Sequence, residues 1–152
     1  MKIVDFLQPG AVLDDLVGST PQAVLAELSR PLAASHKVDL PRLLDTLLER
    51  EKLGSTGIGD GVAIPHGKVA ILPTLTASFG RSRTGVDFKA IDGKPTFLFF
   101  TLFAPENSAG AHLKALARIS RLFKNPSFRD AIMKAKDAAE IYRLIEVEDA
   151  KY

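Results

Sequence analysis

The chain has 152 residues, 46% of them hydrophobic and 25% charged, which suits one soluble globular domain with a core of its own. It contains no cysteine, which excludes disulfides, zinc–thiolate sites and thiol nucleophiles and fits a reducing compartment. Twenty basic residues against eighteen acidic ones leave a net charge of +2, too small an excess to mark a nucleic-acid partner.

The N-terminal stretch MKIVDFLQPGAVLDDL lacks the apolar core and small-residue cleavage site of a secretory signal. No run approaches the roughly 18 apolar residues of a membrane span. A cytoplasmic location without membrane insertion is therefore expected. AVLDDLV, residues 11–17, is a first strand candidate. A helix is predicted from Thr20, with Pro21 in its first turn and Val24, Leu25, Leu28 and Leu32 on its apolar face. Pro31 within that pattern predicts a kink or break around Arg30. His36, between Ser35 and Lys37, is expected to face solvent. A second helix is predicted from Pro41 to Lys52, with Leu43, Leu44, Leu47 and Leu48 as its buried stripe and Gly54 ending it.

The stretch GSTGIGDGVAIPHGKV, residues 54–69, holds five of the eleven glycines around His66, with GVAI as a short strand candidate. Farther on, Leu75, Ala77 and Phe79 alternate with Thr74, Thr76 and Ser78, the pattern of a half-buried strand. Val86 and Phe88 alternate likewise with Asp87 and Lys89. TFLFFTLF, residues 96–103, suits a central strand covered on both faces. A helix is predicted from Ser108 to Lys124, with Leu113, Leu116, Ala117 and Phe123 on one face. Asn125 and Pro126 close it and open another, and Asp137 with Glu140 is a capping-box start for the last. Lys114, Arg118, Arg121, Lys124 and Arg129 read as a solvated helix face. Helices first, strands in the middle and helices last imply an α/β fold with a sheet, expected to be mixed, covered by helices.

Glycine in an ordered region costs backbone entropy, so the cluster around His66 implies a geometric demand. It is not a phosphate loop of the Walker type, because five residues separate Gly61 from Gly67 and Val69 stands where Ser or Thr is required. Gly57, Gly59 and Gly61 give G-x-G-x-G, not the dinucleotide fingerprint, and Pro65 blocks a smooth helix start. His36, His66 and His112 have no metal-ligand spacing, so neither a metal nor another cofactor is expected. No G-x-S-x-G elbow supports a serine hydrolase. A neutral imidazole acting as nucleophile toward a phosphoryl group remains. It needs one exposed ring nitrogen, the other held by a fixed acceptor, and donors around the phosphoryl oxygens. Pro65 restricts Ile64 to extended geometry and so sets where His66 emerges, and Gly67 is expected to let a partner approach. On chemistry alone, His66 stands open between this role and that of a loop histidine beside a turn. His112, in line with Leu116, Ile119 and Phe123, stands open between a site residue and an edge-of-core histidine.

LLEREKLGSTGIGDGVAIPHGKV and AHLKALARISRLFKNPSFRDAI resemble, in order and spacing, the two histidine-bearing motifs of enzyme IIA domains of the fructose–mannitol class of the bacterial sugar phosphotransferase system. The likeness is closest to the nitrogen-regulatory branch and spans nearly the whole chain. It implies a three-layer α/β/α sandwich with a mixed sheet. It also implies that His66 is the phosphoacceptor through Nε2, loaded by a phosphocarrier protein, HPr or its nitrogen-branch relative. His112 would contact the phosphoryl group or orient His66, and Arg50 would neutralise phosphate charge. Ser55 and Thr56 match the motif and would cap or hydrogen-bond within the site. Asp60 stands where relatives carry Asn or Glu, and a negative charge there would repel phosphate. A chain ending at Tyr152 without an attached permease domain is expected to be a regulatory switch with protein targets. The alternatives are a transport enzyme IIA that passes the group to a IIB domain, and an interaction domain whose histidine is unused.

Overall fold

The computed structural model describes residues 1–152. Six strands and five helices follow in the order β1 (Leu7–Leu13), α1 (Pro21–His36), α2 (Leu40–Lys52), β2 (Gly57–Gly59), β3 (Val62–Ala63), β4 (His66–Lys68), β5 (Thr76–Val86), β6 (Thr96–Ala104), α3 (Ala109–Phe123), α4 (Pro126–Lys134) and α5 (Ala138–Asp149), after a short 3₁₀ turn at Ile3–Asp5. The sheet runs β1-β5-β6-β3-β2, and β4 also pairs with β6. β1 is parallel to β5, β5 antiparallel to β6, and β3 and β4 parallel to β6. The sheet is therefore mixed, as expected.

β6 is the hub because its residues are apolar on both faces. Phe100 meets Phe79 and Phe123 of α3 on one face, and Phe99 meets Phe88 on the other. On the face opposite α3, the Ser78 hydroxyl donates to the Leu28 carbonyl of α1 at 2.8 Å. Helices thus cover both faces, giving the three-layer α/β/α sandwich. The reading of β5 as half-buried is corrected by the same contact. Thr76 and Ser78 are buried because hydroxyls can be satisfied in the core: Ser78 reaches Leu28 and shares a short hydrogen bond with Thr101.

The other departures have local causes. Strand β1 begins before the expected AVLDDLV and stops at Leu13. It is an edge strand, where Pro9 and a register shift between Leu7 and Val12 are tolerated. Helix α1 opens on Thr20, whose hydroxyl accepts from the Ala23 amide at 3.2 Å, and it runs unbroken through Pro31 to His36. Leu28 and Leu32, buried on either side of Pro31, hold the two halves against the sheet despite the hydrogen bond that proline removes. His36 is exposed, as expected. Val86 ends β5, and Phe88 lies beyond the strand. In α3 the buried face is His112, Ala115, Ile119, Leu122 and Phe123, whereas Leu113 and Ala117, both expected on it, are exposed, Leu113 by 68%. The basic stripe is partly tied down. Arg118 pairs with Asp149 at 2.5 Å, and Arg129 donates to the Phe123 carbonyl at the end of α3. No helix is long and apolar enough to cross a membrane.

Candidate functional site

Three chain segments converge where β4 joins the sheet. His66 opens β4 opposite Leu102 of β6, and the Leu102 amide donates to the Pro65 carbonyl at 2.9 Å. Pro65 keeps Ile64 extended, which turns the Ile64 carbonyl back toward the ring that follows. His66 Nδ1 lies 2.7 Å from that oxygen. A carbonyl can only accept, so Nδ1 carries the proton and Nε2 keeps its lone pair. The fixed acceptor that the chemistry requires is thus the Ile64 backbone, and the A-I-P-H string was its signal.

β6 leads directly into α3, which brings His112 to the same place. The two imidazoles meet edge to face with centroids 5.5 Å apart. His112 is 8% exposed, and its Nε2 has no hydrogen-bond partner in the protein. Burial lowers the pKa of both rings. The Ile64 hydrogen bond raises that of His66, while the positive charge of Arg50 lowers it. For His112, His66 and then Lys68 add to the lowering. The geometry therefore favours two neutral imidazoles.

Arg50 lies in the last turn of α2 and donates from Nη1 to the Gly54 carbonyl at 2.8 Å. With Thr46, Leu53, Gly67, Lys68 and two acids, Asp45 and Glu49, it lines an open depression on the surface. Lys68 is a second cation that the sequence reading did not single out. A phosphoryl group on Nε2 would meet positive charge from α2 and β4.

Gly67 has a packing role within the chain: a Cβ there would lie 2.5 Å from the Thr46 methyl of α2. Ser55 and Thr56 are turned inward as well. The Ser55 hydroxyl donates to the Phe88 carbonyl at 2.6 Å, and the Thr56 hydroxyl donates to the Glu51 carboxylate. Both protons are committed within the chain. Asp60 is not beside the imidazoles. It and Gly61 form the two-residue turn between β2 and β3, both with positive φ (56° and 77°), the geometry of a type I′ hairpin for which Asp-Gly is preferred. Its amide is held by Asp92 at 3.0 Å. It lines a separate hollow with Phe97, Ser127 and Arg129. The turn accounts for this residue without any contact to phosphate.

Residues 5–147 match the family model for the phosphoenolpyruvate-dependent sugar phosphotransferase system, EIIA 2. A nitrogen regulatory protein from Bradyrhizobium diazoefficiens is 38% identical over 99% of this chain and 98% of its own. A fructose-specific EIIABC component from Bacillus subtilis is 33% identical over 98% of this chain, which corresponds to 24% of that protein. The crystal structure of the nitrogen regulatory protein IIA-Ntr from Neisseria meningitidis superposes with a TM-score of 0.87 at 38% identity, covering 94% of this chain and 98% of that one.

Proposed function

The chain belongs to the phosphotransferase-system EIIA 2 family, and from that premise we propose that it is a cytoplasmic phosphoryl-accepting regulatory protein whose His66 forms a covalent phosphohistidine. The observation that carries this is the 2.7 Å bond from His66 Nδ1 to the Ile64 carbonyl. It leaves Nε2 as the nucleophile.

The donor is a phosphohistidine carrier, HPr or its nitrogen-branch relative. The Nε2 lone pair attacks phosphorus, the donor's P–N bond breaks, and its electron pair returns to the donor imidazole. The His66 ring gains positive charge as the new P–N bond forms. Its Nδ1–H stays on the Ile64 oxygen, which stabilises that charge. Arg50 and Lys68 face the charge spread over the phosphoryl oxygens, and His112 orients the ring or donates to the phosphoryl group. Ser55, Thr56 and Gly67 support the site from behind by fixing the loop and the α2–β4 contact. Loading adds close to two negative charges at one surface point, enough to change which protein surfaces dock there.

Incubation with enzyme I, phosphoenolpyruvate and the carrier tests this reading. Acid-labile, base-stable label is expected on the wild type and absent from His66→Ala; label persisting in that variant overturns the assignment. The similarity to the fructose-specific EIIABC component favours one second reading, transfer onward to a IIB cysteine. Transfer of label from the loaded protein to a IIB domain would establish it.

A further inference from the structure

Glu51 occupies an unusual position. It stands in the last turn of α2, where the partial negative charge of the helix end disfavours a carboxylate, and it is half-buried. Desolvation raises its pKa above the usual carboxylate range, against the opposing effect of hydrogen bonds from Thr56. A group held against both the helix dipole and burial needs partners that make it worthwhile. They are the amide of Thr56, 3.1 Å from Oε1, and the Thr56 hydroxyl.

From Thr56 the contacts continue toward the site. The Thr56 carbonyl accepts the Ile64 amide at 3.0 Å, which extends the β2–β3 pairing by one step. The Ile64 carbonyl then accepts His66 Nδ1–H at 2.7 Å. Each link enters a residue through its amide and leaves through its carbonyl, two different peptide units. The chain of contacts therefore transmits position more than polarisation. Arg50, next to Glu51, pins the Gly54 carbonyl, so the end of α2 grips the glycine segment at two points.

We propose that Glu51 is a positioning residue for His66, holding Thr56 and through it the Ile64 carbonyl where that oxygen selects the Nδ1–H tautomer. The functional consequence rests on His66 as phosphoacceptor; the tautomer itself does not. A neutral histidine side chain in water favours the proton on Nε2, the wrong nitrogen for attack through Nε2, so selection is required. Loss of the grip releases residues 54–57, lets the Ile64 carbonyl drift, and returns His66 to a mixture of tautomers.

The test reads the ring nitrogens of His66 by ¹H–¹⁵N correlation at a pH where the ring is neutral, with His36 as the ring the substitutions leave alone. Wild type is expected to show a single Nδ1–H pattern. Glu51→Ala, and Glu51→Asp, whose carboxylate is one methylene short of Thr56, are expected to show a two-tautomer average. Glu51→Gln still offers an oxygen to the Thr56 amide and is expected to restore the wild-type pattern. The initial rate of phosphoryl acceptance should fall in step with the lost Nδ1–H fraction. If Glu51→Ala does not fold, Glu51→Asp decides. A wild-type pattern in a folded Ala or Asp variant, or a Gln variant that behaves like Ala, overturns the proposal. Tautomer shifts in a protein that never takes label would leave this link standing and remove the phosphoacceptor reading instead.

Discussion

The imidazoles of His66 and His112 stand edge to face, 5.5 Å between centroids and 76° between planes, with one Nδ1 tied to the Ile64 carbonyl and the other ring's Nε2 buried without a partner. Charging either ring in that setting means placing a cation in a poorly solvated position. For His66 the nearby Arg50 charge adds to the cost, and for His112 the nearby Lys68 charge does.

A pH dependence follows with a definite sign. Both folded-state pKa values lie below the ordinary histidine value. Below about pH 6.5 the unfolded chain therefore binds more protons than the folded one. The contribution to stability is fully present above that pH and is lost as pH falls through the folded-state values. Urea midpoints should decline across this window, and less so in His66→Gln. Phosphoryl acceptance should persist somewhat below pH 6.5, because Nε2 remains unprotonated there. An NMR titration showing either ring with a raised pKa would contradict the electrostatic picture.

Arg50 should matter in two separable ways. Removing its charge in Arg50→Ala should raise the pKa of His66, since Arg50 lowers it. The same change should slow phosphoryl acceptance roughly 10- to 100-fold, the equivalent of one hydrogen bond to a charged group. Arg50→Lys keeps the positive charge but not the planar fork that reaches the Gly54 carbonyl. It is expected to retain the low pKa of His66 and only part of the rate. Equal rates in all three proteins would remove Arg50 from the site.

His112 offers a sharper separation of stability from activity. A buried nitrogen without a partner costs about 1–3 kcal/mol, so a residue kept only for packing would be better as leucine. His112→Leu is expected to melt no lower than wild type while accepting phosphoryl groups more slowly, with label still on His66. A large drop in melting temperature with unchanged transfer would return His112 to the core.

What could be read from the chain divides along physical lines. The helices were legible because each buries a stripe set by its own period; Leu43 and Leu47 fall on theirs, and α2 begins and ends within a residue of expectation. The β6 run was legible because only a strand covered twice tolerates so many phenylalanines. Alternation misled at Ser78, since a hydroxyl in a strand does not reveal whether Leu28 of α1 will accept its proton. The helical period misled at Leu113, because α3 carries leucines on more than its buried face. At the site, His66 was marked by the glycines and proline around it. The Ile64 carbonyl was signalled only by the proline that follows it, and Glu51 acts on the site through the backbone of Thr56, which leaves no pattern of side chains to find. The one available hint was an acid at the wrong end of a helix.

Gly67 gives a prediction confined to packing. Its missing Cβ is what lets β4 approach α2, with the Thr46 methyl at 2.5 Å from where that atom would be. Gly67→Ala should destabilise by about 1–3 kcal/mol, as overpacking does. Adding Thr46→Ala removes the clashing methyl and leaves the Thr46 carbonyl, at 3.5 Å, as the nearest atom. The double variant should therefore recover at least about 0.5 kcal/mol relative to the sum of the single changes. Additive losses in denaturant unfolding would place the demand for glycine elsewhere.

Arg81 tests the scaffold away from the histidines. It is fully buried in β5 and forms no ion pair. Its guanidinium donates from Nε to the Asp14 carbonyl at 2.9 Å, and from Nη1 to the carbonyls of Ile132 at 2.9 Å and Ala135 at 2.6 Å. It thus joins the end of β1 to the last turn of α4, where the helix leaves carbonyls unpaired and its partial negative charge favours a cation. Burial pushes its pKa down, and Arg83 adds to that, yet an arginine stays protonated under any ordinary condition. Arg81→Met keeps the volume and removes every donor. Leaving buried acceptors unpaired should outweigh the relief of desolvation by about 3 kcal/mol, which for a chain of this size lowers Tm by roughly 6–12 °C. Arg81→Lys keeps the charge, but a single ammonium cannot serve both ends of the bridge, so it should fall between the two. A Met variant that unfolds at the wild-type denaturant midpoint would show that α4 and β1 are held together by their apolar contacts alone.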